Sequence, residues 1–259
     1  MRPNPLRSRW ASRQVAFGGW LTIPSSVTAE VLSAHDLDYI GIDMQHGLVG
    51  YQDSIPMLQA LSLGSATPMV RVPENTPANI SRALDAGAMG VIVPMVNTPE
   101  QCAAAVDASF YVPKGSRSYG PTRVGAVEGP DYFDAANDAV ACVPMVETSE
   151  AMDNLEEIVS VPGIECAYVG PSDLAISMGM APGTSDPAFF SVLDRFIAIC
   201  DAHDVVPAIH ATPATAQDRV ERGFRMVTVV ADLLVLRAGT ATAIAQARGE
   251  QVHLGDPLY

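Results

Sequence analysis

Four short apolar runs in this chain each end in residues able to do chemistry. YIGIDMQHG ends in Asp43 and His46, TPMVRVP in Arg71, ACVPMVET in Glu147 and ECAYVGPSD in Asp173. Two carboxylates that leave coordination positions open for water or a ligand suit a divalent cation such as Mg2+ or Mn2+. An imidazole three residues after a carboxylate suits a general base, because the carboxylate can fix one tautomer and raise its basicity. A guanidinium at a strand end suits a carboxylate or a developing oxyanion. Each residue also has an ordinary alternative. Glu147 and Asp173 sit where helix caps are common, His46 is open to a plain loop role, and Arg71 to an ion pair with Asp43 or Asp85. Two carboxylates on successive strand ends favour a cation over two independent caps.

Residues so spaced need a scaffold that brings successive strand ends together. Strand-like runs recur at Phe17–Thr22, Tyr39–Asp43, Pro68–Val72, Gly90–Val93, Ala141–Val146, Cys166–Val169, Val205–Ile209 and Met226–Val230. Segments of helical periodicity separate them: Val27–Ala34, Ile55–Leu63, Pro77–Ala86, Pro99–Ala108, Ala151–Val159, Pro187–His203, Ala214–Arg222 and Asp232–Arg248. Thr98-Pro99 and Thr212-Pro213 read as N-caps followed by proline at the first helical position, and Gly64, Gly87 and Gly223 as stops. Eight such alternations predict a single α/β domain over residues 1–259, a (β/α)8 barrel, whose sites gather where the strands end. The long Gly/Pro/Tyr/Arg-rich segment 110–137 interrupts the pattern and is expected on that same face. Gly170-Pro171-Ser172-Asp173 reads as a tight turn whose backbone N–H groups suit a carboxylate. Arg117 and Arg123 are expected to pair with subunit carboxylates, and His35, His203 and His253 to be surface or helix histidines. His210, at the end of the seventh strand, is a candidate pocket wall.

Composition removes several chemistries. The formal net charge of −14 makes a nucleic-acid backbone an improbable partner. No apolar stretch is long enough to span a bilayer, and the Arg-containing N-terminus lacks the apolar core of a secretory signal, so a cytoplasmic protein is expected. Cys102, Cys142, Cys166 and Cys200 are widely spaced and form no metal-type pattern, which reads as buried thiols. Lys114 is the single lysine, and it lies in a Pro/Gly loop rather than on a strand, so Schiff-base chemistry is disfavoured.

Over nearly its whole length the chain resembles the HpcH/HpaI aldolase family, the class II pyruvate aldolases. The likeness rests on GGWLTIPSSVTAEVLSAHDLDYIGIDMQHG, VRVPENTPANISRALDAGAMGVIVPMVNTPEQ, PKGSRSYGPTR, MVETSEAMDNLEEIVSVPGIECAYVGPSDLAISMG and RGFRMVTVVADLLVL. It implies a barrel of the phosphoenolpyruvate/pyruvate-binding type with the last helix on a neighbouring subunit, in a homohexamer built as a trimer of dimers. The implied reaction is reversible cleavage of a 4-hydroxy-2-oxo acid to pyruvate and an aldehyde through a pyruvate enolate. Glu147 and Asp173 would hold Mg2+, Mn2+ or Co2+, with no organic cofactor. His46 would be the base, oriented by Asp43, and Arg71 would bind the keto or enolate oxygen. Ser172 and Asp173 N–H groups beside Gly170 would hold the pyruvate carboxylate, and Trp20 would line the pocket. Asp85 resembles an acid that reaches a neighbouring subunit's histidine. Gln45 and Ala175 depart from the commoner Glu and Ser. A citrate lyase β-subunit-like acyl-CoA lyase and a non-catalytic binding barrel are the competing readings; the acidic, lysine-poor surface disfavours the first, and the joint presence of His46, Arg71, Glu147 and Asp173 the second.

Overall fold

Every residue of Tyr39–Asp43 is buried, so both faces of that strand are covered, as happens in parallel sheets wrapped by helices. A computed structural model describing residues 3–250 shows how. The strands are β1 (Ala16–Leu21), β2 (Tyr39–Asp43), β3 (Thr67–Arg71), β4 (Gly90–Val93), β5 (Ala141–Val146), β6 (Cys166–Val169), β7 (Val206–His210) and β8 (Met226–Ala231). Each pairs in parallel with the next, and β8 pairs with β1, closing a barrel. The helices are α1 (Pro5–Ala11), α2 (Ser26–Ser33), α3 (Tyr51–Leu61), α4 (Pro77–Asp85), α5 (Pro99–Ser109), α6 (Thr122–Glu128) and α7 (Tyr132–Ala139), followed by α8 (Ser149–Asp153), α9 (Leu155–Val159), α10 (Pro171–Ser177), α11 (Pro187–Ala202), α12 (Ala216–Arg222) and α13 (Asp232–Arg248). Among the described residues no helix is long and apolar enough to cross a membrane.

The two-residue repeat of a strand sorts side chains between two cores. Ile40, Ile42, Val70, Val91, Cys142 and Val169 face outward into the layer between barrel and helices. Tyr39, Met69, Ile92, Val143, Met145 and Tyr168 fill the barrel interior. Counting by twos from these inward residues puts Asp43 above Tyr39, Arg71 above Met69, Glu147 above Met145 and His210 above Ala208. The chemistry-bearing residues thus form the top layer of the interior, at the C-terminal mouth.

The other end is plugged. α1 starts on an Asn4 cap with Pro5 in its first turn, and it inserts Leu6 and Trp10 into the interior core. The Asn4 amide donates to the carbonyls of Met89 (3.1 Å) and Ala139 (2.9 Å), just ahead of β4 and β5. Arg7 pairs with Glu165 ahead of β6.

Four expectations are corrected. Segment 110–137 lies at this plugged end, not at the mouth, because α5 runs back antiparallel to β4 before the segment begins. There it forms α6 and α7 over a small core of Tyr111, Val124, Tyr132 and Ala136. Its Arg117 pairs with Asp85 of the same chain (2.6 Å) and Arg123 with the Ala86 carbonyl, so neither needs a subunit carboxylate. Thr212 is not a cap: the chain turns through 213–215, and α12 begins at Ala216 after Thr215. Segment 151–159 is divided at Asn154 into α8 and α9.

Tyr39 is wholly buried, its hydroxyl 2.7 Å from Thr228 Oγ1. A Cβ at Gly18 would fall inside its ring. Gly18→Ala is therefore expected to cost about 1–3 kcal/mol through overpacking, read from the midpoint of urea unfolding.

Candidate functional site

At the mouth, β2 and β3 are in register with Asp43 opposite Arg71. The guanidinium forks onto the carboxylate: Nε donates to Oδ1 at 2.8 Å and Nη2 to Oδ2 at 2.6 Å. Trp20 Nε1 adds a donor to Oδ2 at 3.3 Å, and its ring lies 5.1 Å from the Arg71 guanidinium carbon. Burial opposes ionisation of Asp43, but the Arg71 hydrogen bond and charge, helped by backbone N–H groups of His46 and Gln45, hold it below the usual carboxylate range. Arg71 Nη1 takes no part in the fork.

His46 follows β2 in an exposed turn. Its backbone N–H, not its imidazole, donates to Asp43 Oδ1 (3.2 Å), beside the N–H of Gln45 (3.0 Å). Asp43 therefore shapes the turn that carries His46, correcting the expectation that it grips the ring. The cause is the inward register of Asp43: its oxygens face Arg71 and Trp20, and the chain folds back over them as an Asx-type turn.

Glu147 is the residue after β5 and is almost fully buried. Met95 N–H donates to its Oε1 at 2.7 Å. Its other oxygen lies against Gly170 Cα, where any Cβ would collide with it. Burial raises the Glu147 pKa, with Met95 N–H opposing, Asp173 adding repulsion and Arg71 partly offsetting it. Asp173 is exposed on the first turn of α10, after Gly170 and Pro171. Gly170 offers no side-chain cap to this turn, so the N–H groups of Ser172 and Asp173 are left for another acceptor.

A divalent cation fits this pair. Two oxygen-ligand carboxylates, one desolvated, repel each other across an open mouth, and a cation would remove that repulsion. Among the described residues no group of three or more His, Cys, Asp and Glu could hold a metal, so these two ligands leave most positions to water or substrate.

His210 completes the wall. Its ring meets Trp20 edge-on at 5.4 Å, and Nδ1 is 3.5 Å from the Tyr168 hydroxyl. Burial, then the Arg71 charge, push it down to about 4. Asp85 is not at the mouth: α4 runs antiparallel to β3 and ends at the plugged end, so within one chain Asp85 and His46 occupy opposite faces. Lys114 lies there too, bonded to the Asn137 carbonyl (2.9 Å) and Asp138 (2.8 Å). One cavity of about 310 Å³ lies within segment 119–133 and another of about 320 Å³ between α4 and residues 116–120, neither lined by Asp43, Arg71, Glu147 or Asp173. His35 and His203 sit on outer helix ends; His253 lies outside the described residues. Met95 has no sequence signal, since its contribution is a backbone N–H.

The sequence pattern of the HpcH/HpaI aldolase/citrate lyase family matches residues 17–238, which include every mouth residue described above. The chain belongs to that family. A relative named hydroxypyruvate/pyruvate aldolase, from Rhizorhabdus wittichii, is 38% identical over 248 residues, covering 95% of this chain and 99% of the relative. The crystal structure of an HpcH/HpaI family protein from Burkholderia cenocepacia J2315 superposes with a TM-score of 0.90 at 32% identity, covering 95% of this chain and 99% of that one. A citrate lyase β subunit from M. tuberculosis, solved with oxaloacetate and magnesium, has a TM-score of 0.55 at 15% identity, covering 84% of this chain and 92% of that one; it shares the fold alone.

Because His210 is held neutral, the unfolded chain takes up a proton between about pH 6.5 and 4 that the folded chain does not. Its contribution to stability is full above that window and is lost as pH falls, by at most about 3 kcal/mol. Melting temperatures at pH 7 and pH 4.5 should show a shallower acid loss in His210→Phe than in wild type; equal losses would contradict this.

Proposed function

We propose that this barrel is a metal-dependent pyruvate aldolase, a carbon–carbon lyase that reversibly cleaves a 4-hydroxy-2-oxo acid to pyruvate and an aldehyde. The observation that carries the reading is the convergence of the Arg71–Asp43 fork with Glu147 and Asp173 in one mouth. Arg71, fixed through two of its nitrogens, directs Nη1 to the keto oxygen and stabilises charge as it develops there. Ser172 and Asp173 N–H groups hold the substrate carboxylate beside Gly170. His46, on the turn that Asp43 shapes, takes the proton of the 4-hydroxyl during cleavage, and in reverse gives it to the new alkoxide. It also moves the proton between the pyruvate methyl and the enolate, while Trp20 and His210 wall the pocket. Glu147 and Asp173 would hold Mg2+, Mn2+ or Co2+, which supplies Lewis-acid stabilisation of enolate charge when bound. The only lysine is engaged at the plugged end, which favours this route over an imine.

The active form we propose is a cytoplasmic homohexamer of one-domain chains. α13 carries exposed Leu233, Val235, Leu236 and Ile244, and α2 carries exposed Val27 and Val31; packing α13 on a neighbouring subunit would cover such surface. In that assembly Asp85, which lies far from its own mouth beside Arg117, would reach the partner's His46.

Pyruvate release from a panel of 4-hydroxy-2-oxo acids tests the reading. EDTA treatment should abolish release and Mn2+ restore it, and Glu147→Ala should lose about 10²–10³-fold or more in kcat/KM. Undiminished release after both chelation and Glu147→Ala would sink the proposal.

A further inference from the structure

Three non-glycine residues among those described have positive φ: Arg13 (53°), Met95 (55°) and Asp204 (57°). Arg13 and Asp204 each follow a helix C-cap, where a left-handed residue closes the last turn. Met95 has no such reason. It follows β4 in the irregular stretch Pro94-Met95-Val96, at the rim of the mouth, and its side chain is half-exposed. A left-handed methionine is strained, and such strain concentrates where surrounding structure uses it.

Its effect is visible in the two hydrogen bonds on either side. Val96 N–H donates to the Met145 carbonyl on β5 at 3.1 Å, while Met95 N–H donates to Glu147 Oε1 at 2.7 Å. Successive peptides thus aim both donors at β5, one at its backbone and one at the carboxylate beyond its end. Gly170 closes the opposite side of that carboxylate. We infer that Met95 is a positioning residue: its left-handed backbone, rather than its side chain, sets the Glu147 carboxylate in the one orientation that presents Oε2 to the cation. The inference rests on reading Glu147 as a metal ligand.

The test is Mn2+ affinity of the full-length protein, measured with Mn2+ alone by electron paramagnetic resonance, for wild type and three variants. Met95→Gly and Met95→Asn discard the side chain but accept positive φ readily. Met95→Val also discards it, and β-branching resists that conformation. Gly and Asn should bind within about threefold of wild type, and Val about 10–100-fold more weakly, the usual loss when a ligand's hydrogen-bond partner is removed. Melting temperature is read alongside. Wild-type affinity in the Val variant overturns the inference, as does a loss in Gly and Asn equal to that in Val, which would assign the effect to the side chain. If the Val variant does not fold, Met95→Thr, which is likewise β-branched, takes its place in the comparison. Absence of Mn2+ binding in wild type would overturn the metal reading, and this inference with it.

Discussion

The Asp43 carboxylate accepts five hydrogen bonds, and the mouth is organised around it. Two come from Arg71 on β3, one from Trp20 on β1, and two from the backbone of the turn that carries His46. One buried anion thereby ties three adjacent strands to the loop with the proposed base. Its neighbour Arg71 is buried as well, so neither charge can be removed without stranding the other, at a cost of about 3–5 kcal/mol. That cost is what makes the arrangement a single structure rather than a set of mobile groups. The fork uses two of the five guanidinium N–H donors, and both donors on Nη1 take no part in it.

The second pair works in the opposite sense. Glu147 and Asp173 repel each other, and burial adds to the penalty on Glu147. Protein structures carry such unfavourable sites where function requires them and offset them elsewhere. Here the compensation comes from Met95 N–H and the positive charge of Arg71, above a packed interior in which the Tyr39 and Tyr168 hydroxyls are bonded to Thr228. In the proposed reaction the attractive fork would hold an anion and the repulsive pair a cation.

The barrel was legible in the sequence because its strands are buried on both faces and bounded by Gly, Pro and capping residues; all eight strands form within a residue or so of the expected limits. The inward placement of Asp43, Arg71 and Glu147 follows from counting by twos along those strands. Other parts carry weaker signals. α1 offers only an Asn-Pro start and one apolar i, i+4 pair, Leu6 and Trp10, among arginines. α10 buries only Leu174 and Ala175. Asp43 and His46 look like a side-chain pair by spacing, but a strand end turns the carboxylate inward and leaves backbone N–H groups to meet it. The location of 110–137 follows from topology rather than composition: a segment entered from a helix returns to the face where strands begin.

The proposed reaction forms a pyruvate enolate in this mouth with carboxylate-held metal and without an imine. Exchange of pyruvate methyl protons for deuterium in D2O, followed by proton NMR with no aldehyde present, addresses it directly. Exchange should require Mg2+, stop on chelation, and persist in Lys114→Ala. Exchange that continues after metal removal, or that disappears with Lys114, would contradict this reaction.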